Sequence, residues 1–288
     1  MNGLKVVMLM VVLMLLFMGI GYLVGGQQGM VIAFVIAAVM NFFSYWFSHK
    51  IVLKMYRARE VSETDNPRLF RVVRRVVTRA GINTMPKVYI VPSRGPNAFA
   101  TGRNEDTAAV AVTEGLLGLL NEDELEGVIG HEVAHILNKD MLIGTIAATM
   151  AGAIGILASM ARWGAILGGF SRDNNRGGGI GLLVAAIVAP IAALFIQTAI
   201  SRQREYKADA KGGDITGKYL GLATALEKLH RSPVQMRLDD RPATANLMIA
   251  NPLSGKGMSS LFSTHPPVEN RIARLKERAQ QAPYMTHA

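Results

Sequence analysis

Cysteine is absent from all 288 residues, which excludes disulfides and thiolate zinc ligands but does not assign a compartment. No internal repeat occurs, and no low-complexity segment beyond the glycine run at 177–179. Nucleic-acid motifs and aromatic interleaving are also missing, so the formal charge of +10 does not imply a nucleic-acid partner. Much of that charge is clustered beside apolar runs, where anionic lipid and the positive-inside rule account for it. Charge itself is missing from long stretches. Val6–Val24 and Met30–Phe47 contain none, and each is about one bilayer thickness long. Leu142–Ala161 and Ile180–Ile200 are two more such runs. No A-x-A-like cleavage site lies between the first run and the second, and the first reads as an uncleaved anchor.

Four apolar runs predict an integral membrane protein, and lysine and arginine placement orients it. Lys5 precedes the first run; Lys50, Lys54, Arg57 and Arg59 follow the second, and Arg202, Arg204, Lys207 and Lys211 the fourth. With the third run extended past Arg162 to Phe170, the loop between the third and fourth holds only Arg172, Asp173 and Arg176. Both termini and residues 48–141 are therefore expected on the cytoplasmic side. The 142–200 hairpin either crosses the bilayer or dips into it, and its composition leaves both open.

Residues 48–141 read as the first half of an α+β domain. Asn66 and Pro67 start a helix, Leu69, Phe70, Val73, Val76 and Val77 give it an apolar stripe, and Gly81 ends it. Its arginines (Arg68, Arg71, Arg74, Arg75, Arg79) are expected on a solvated or lipid-facing side. Lys87–Val91 reads as a strand between prolines. Asn97–Gly102 and Thr107–Val112 read as two more, joined by a turn over 103–106. Helices are expected at 204–231 and 267–281, separated by a Pro/Gly/Ser-rich stretch.

The chemistry is concentrated at His131-Glu132-Val133-Ala134-His135. Histidines four apart project from one helix face, the separation that two nitrogens need to hold one tetrahedral zinc. Glu132 is placed to act as base toward water. Asn121 and Glu124 form an N-cap pair that starts this helix near 122. From His135 to Leu142 is about 10 Å of helix, so the site is expected close to the membrane surface. A third ligand is needed. The remaining histidines are His49, His230, His265 and His287, of which His49 lies at a membrane boundary and His287 at the terminus; the better candidate is Glu205, with Asp209 one turn on as its supporting carboxylate. Two solvated carboxylates among basic residues is the competing reading, and spacing alone does not decide.

The order of these motifs resembles the HtpX family of membrane-embedded zinc metalloproteases, related more distantly to the CAAX prenyl endoproteases. The resemblance rests on the paired N-terminal runs, Asn97–Gly102, His131–His135 with Asn138 and Asp140, Glu205–Asp209, and Thr264-His265-Pro266-Pro267 with Arg271. It implies that His131, His135 and Glu205 bind one Zn2+ per chain and that Glu132 is catalytic. It also implies a site facing the cytosol from a bacterial cytoplasmic (inner) membrane, in membrane-protein quality control under stress.

The expected architecture is mainly helical α+β. Two transmembrane helices lie in 1–47, and the first part of a cytoplasmic zincin-like domain in 48–141. The hydrophobic hairpin occupies 142–200, and the second part of the domain, with the third ligand, 201–288. The expected reaction is peptide-bond hydrolysis, with Glu132 moving the proton and His265 either stabilising the oxyanion or only capping the helix at Pro266. Asn138, on the face of His131, would contact solvent or ligand at the metal. The resemblance implies that Asp209 with Arg271 orients Glu205, and Asn97–Gly102 would offer a strand edge to an extended substrate. Expected partners are unfolded or membrane proteins and the lipid bilayer. A narrow prenyl-protein peptidase, a non-catalytic scaffold or holdase, and a lipid hydrolase are the rivals. The sequence carries no indication of oligomeric state.

Overall fold

The computed structural model describes residues 2–147, 149, 202–232, 249 and 266–285. His265, the fourth apolar run, the glycine run and most of the third apolar run lie outside the described residues.

The two expected N-terminal spans form one hydrogen-bonded element, α1 (Asn2–Met55), which would be about 80 Å long if straight. It is folded back on itself. Gly26 has φ +58°, and Asn41 Nδ2 donates to the carbonyl of Met10 at 3.0 Å, across 31 residues. The fold requires two glycines: a Cβ on Gly21 would collide with the carbonyl oxygen of Gly29, and one on Gly29 with that of Gly21. Gly26–Met55 is long and apolar enough to cross a membrane. Its outward side chains, among them Val31, Ile32, Phe42 and Trp46, are exposed large hydrophobics, an arrangement suited to lipid.

After a two-residue strand β1 (Arg59–Glu60), too short to leave a pattern, α2 spans Pro67–Arg79. Asn66 caps it by accepting from the Leu69 N–H, and Leu69, Val72, Val73, Val76 and Val77 are buried. The arginine face of α2 is solvent-exposed at Arg71, Arg74 and Arg79, as expected, and also carries long-range partners that the sequence does not show. Arg75 and Arg79 reach the fully buried carboxylate of Glu126 at 2.7 and 2.6 Å. Arg68 donates to the carbonyls of Leu117 and Leu120. Carbonyls and a carboxylate brought from distant sequence supply partners that periodicity cannot reveal.

Strands β2 (Lys87–Val91), β3 (Ala98–Thr101) and β4 (Ala109–Thr113) complete a sheet of order β1-β2-β4-β3. β2 and β4 are parallel, Lys87 opposite Ala109; β3 is antiparallel to β4, Ala98 opposite Val112. β4 starts two residues later than expected. Asn104 and Thr107 bond reciprocally and wind Glu105–Thr107 into a 3-10 turn. β3 is left as an edge strand.

Helix α3 (Glu114–Leu119) is followed by α4 (Glu122–Leu137), which starts at the expected box: Asn121 accepts from the Glu124 N–H, and the Glu124 side chain accepts from that of Asn121. α4 is buried on nearly every side, from Glu124 to Ala134 and at Ile136. The single helix expected at 204–231 is two, α5 (Arg202–Thr216) and α6 (Tyr219–Arg231), because Gly217 adopts φ +68°. α7 is Val268–Met285. One core joins α2, β4, α4 and α6 through Val73, Val110, Leu125, Ile129, Leu222 and Leu226. A second joins Val6 and Leu13 of α1 to Ile143, Ile146 and Ala147 of a helical segment at 141–147.

Candidate metal centre

α4 and α5 cross almost in backbone contact. A Cβ on Gly212 would lie 2.6 Å from the His131 nitrogen, and one on Gly130 2.9 Å from the Gly212 carbonyl. Glycine inside a helix costs roughly 1 kcal/mol relative to alanine, so two at one crossing mark a closeness that no side chain allows. That closeness sets the first turns of α5, with Glu205 and Asp209, over the histidines. A glycine inside a helical pattern is visible in the sequence, but the helix that it meets is not.

The Nε2 atoms of His131 and His135 lie 3.2 Å apart, and the Glu205 carboxylate oxygens lie 3.6 and 3.7 Å from them. At zinc bond lengths of about 2.0–2.1 Å, a tetrahedral edge is about 3.3 Å. The three donors therefore fit a zinc ion, and imidazole and carboxylate are suitable ligands for it. The outer ring nitrogens have their own partners, which directs both Nε2 lone pairs inward. His131 Nδ1 lies 2.9 Å from Asp209 Oδ1, and His135 Nδ1 3.5 Å from Asp140 Oδ2.

Asp140 is brought there by a turn that the sequence reading did not include. The Lys139 N–H bonds the Ile136 carbonyl and the Asp140 N–H that of His135, with Lys139 at φ +57°. α4 thus ends at Leu137, capped by Asn138, and does not continue straight into the third apolar run. Asn138 accepts from Lys211 Nζ at 3.3 Å, so the structure places it at a lysine of α5.

Asp209 is held by both forks of Arg271, at 2.8 Å to Nε and 2.6 Å to Nη2. The pair orients His131 directly; Arg271 also approaches Glu205, at 3.7 Å. Burial would raise the Asp209 pKa, but the Arg271 charge and hydrogen bonds outweigh it and hold the carboxylate at about 2. Burial would lower that of His131, yet hydrogen bonds to Asp209 and Glu205 raise it to about 9. The site therefore demands a cation, proton or metal.

Glu132 is buried and points toward the sheet, where its Oε2 accepts the Ala100 N–H at 2.8 Å. Burial pushes its pKa up, against the pull of both histidines and of this hydrogen bond. Asn97, just before β3, accepts the Ile249 N–H through Oδ1 at 3.0 Å. His265 lies outside the described residues.

Residues 63–279 match Peptidase family M48. A protease HtpX homolog from Desulfatibacillum aliphaticivorans is 56% identical over 276 residues, covering 95% of this chain and 89% of its own. Another from Pyrococcus furiosus is 54% identical over 95% of both chains. One from Persephonella marina is 52% identical over 98% of this chain and 99% of its own. The crystal structure of S. mikatae Ste24p shares the fold, with a TM-score of 0.53 at 16% identity; this chain is covered to 90% but spans only 60% of that one. With matches that run nearly end to end at more than half identity, the chain belongs to peptidase family M48, among its HtpX proteases, and is a metalloprotease.

Proposed function

We propose that the protein is a zinc endopeptidase anchored in the cytoplasmic membrane, cleaving unfolded or damaged membrane proteins at the cytoplasmic face as quality control under stress. The observation that carries the reading is the convergence of His131, His135 and Glu205 within 4.8 Å, with the Glu132 carboxylate bonded to an edge strand beside them. Zinc, when bound, supplies Lewis acidity toward the water nucleophile and the scissile carbonyl. Glu132 takes the proton of the attacking water and delivers it to the leaving amine. Asp209 and Asp140 keep the outer nitrogens of both histidines engaged, and Arg271 holds Asp209. The backbone groups of Ala98 and Ala100 face away from β4; with the Ala100 N–H taken by Glu132, the remaining outward groups are those offered to an extended peptide. An extended stretch of an unfolded chain meets that requirement, and a folded domain does not.

The test is a substrate panel on zinc-loaded protein in proteoliposomes: an unfolded membrane protein, a folded one and a prenylated C-terminal peptide. Cleavage of the unfolded protein at several sites supports the proposal. Cleavage of the prenylated peptide alone would move the assignment to the narrow peptidase. The lack of native cysteine allows sidedness to be read in the same vesicles, since a single cysteine replacing exposed Thr64 has no background. It is expected to label only from the cytoplasmic side.

A further inference from the structure

Asn97 and His131 lie at opposite ends of an unbroken buried chain of polar contacts. The Asn97 backbone is fixed twice by Thr113, whose Oγ1 accepts the Asn97 N–H at 2.8 Å and whose N–H donates to the Asn97 carbonyl at 2.9 Å. The same hydroxyl accepts the Leu116 N–H and caps α3. This anchor aims the Asn97 side chain, and Oδ1 accepts the Ile249 N–H at 3.0 Å. The Ile249 carbonyl accepts from Arg271 Nη1 at 2.6 Å. Arg271 forks onto Asp209, and Asp209 Oδ1 lies 2.9 Å from His131 Nδ1. All five residues are buried, none more than 4% exposed.

We infer that Asn97 is a positioning residue for the metal ligand His131, acting through Ile249 and Arg271, and that its side chain is not primarily a substrate contact. The inference rests on the metalloprotease reading. A planar guanidinium has one orientation in which Nε and Nη2 both meet a carboxylate, and the bond from Nη1 to the Ile249 carbonyl selects it. Ile249 delivers that carbonyl only while its own N–H is held. In a dry interior, loss of one member leaves its neighbour unpaired, so the disturbance passes along the chain. β3 thereby becomes the reference for both halves of the site. Ala100 holds the base Glu132 directly, and Asn97, three residues earlier, holds a metal ligand through the relay.

The experiment measures zinc affinity by chelator competition, together with kcat and KM on a peptide, for the full chain in detergent. The variants are Asn97→Ala, Asn97→Asp, Arg271→Lys and the double variant Asn97→Ala/Arg271→Lys. Asn97→Ala is expected to bind zinc about 10–100-fold more weakly and, at saturating zinc, to lose kcat with little change in KM. Asn97→Asp keeps an acceptor at the Oδ1 position and recovers zinc affinity to within a few-fold. The double variant binds zinc no worse than the weaker single, because both cut one chain. If Asn97→Ala does not fold, Asn97→Ser, which is too short to reach Ile249, carries the same comparison with Asn97→Asp. Wild-type zinc affinity in the alanine or serine variant, with a raised KM, overturns the inference and makes Asn97 a substrate contact. No zinc binding by the wild type overturns the protease reading and the relay with it.

Discussion

The backbone N–H of Ala100 donates to Oε2 of Glu132 at 2.8 Å, a buried hydrogen bond that ties the proposed base to the edge strand. The bond lies outside the sheet ladder, because Asn97, Phe99 and Thr101 face β4 and Ala100 faces away. Proline at an outward-facing edge position removes that donor without cutting a ladder bond. Ala100→Pro is therefore expected to keep the fold and zinc content while kcat drops about tenfold or more, the range over which a positioned base acts. Steady-state kinetics with metal analysis reads this, and an unchanged kcat would show that Glu132 needs no such hold.

The α4–α5 crossing gives a sharper stability contrast. Gly212→Ala forces a methyl to within 2.6 Å of the His131 nitrogen, and the helices must part. Overpacking of this kind costs roughly 1–3 kcal/mol, and displacement of Glu205 weakens zinc binding as well. Gly118, in α3, has nothing within 4 Å of its notional Cβ. Gly118→Ala is expected to stabilise by about 0.5–1 kcal/mol. Thermal melts of the two variants should move in opposite directions.

Glu126 tests the arginine face of α2. Its carboxylate is fully buried between Arg75 and Arg79. Glu126→Gln removes charge-assisted bonds at a desolvated site and should cost roughly 1–3 kcal/mol. Glu63, half-exposed beside Arg74, should tolerate the same change with little effect on the melting temperature. Equal effects at both positions would mean that the buried carboxylate does not organise α2 on α4.

Metal removal and pH are linked through His131. In metal-free protein its pKa is raised from the ordinary 6.5 to about 9, because Asp209 and Glu205 outweigh the opposing effect of burial. Stability from the protonated ring is then fully present below pH 6.5 and is lost as pH rises toward 9. The chelated protein should melt progressively lower across that window. Zinc-loaded protein should not follow, because the metal takes the place of the proton, and apparent zinc affinity should rise with pH. Parallel pH profiles with and without zinc would contradict the site.

The local signals in the sequence were strong where a single segment carried them. Asn121 with Glu124, Asn66 with Pro67, and the histidines four apart all act within one or two helical turns. Long-range partners were not legible. Glu126 with Arg75 and Arg79, Asn97 with Ile249, and Gly130 with Gly212 are each set by tertiary packing and leave no period in the sequence. The break at Gly217 was missed because one glycine in a helical pattern signals either tolerance or termination, and only its φ of +68° decides. Spacing alone pairs Asp209 with Glu205, one turn away on the same helix. The structure gives its closer contact to His131, which comes from another helix.

The most direct test of the account compares wild type with Glu132→Gln in detergent, measuring zinc content and casein cleavage on the same samples. The account predicts about one zinc per chain in both, cleavage by wild type that a chelator abolishes, and no cleavage by the variant. Cleavage that survives in zinc-loaded Glu132→Gln would contradict it, because the proton would then be moved by some other group.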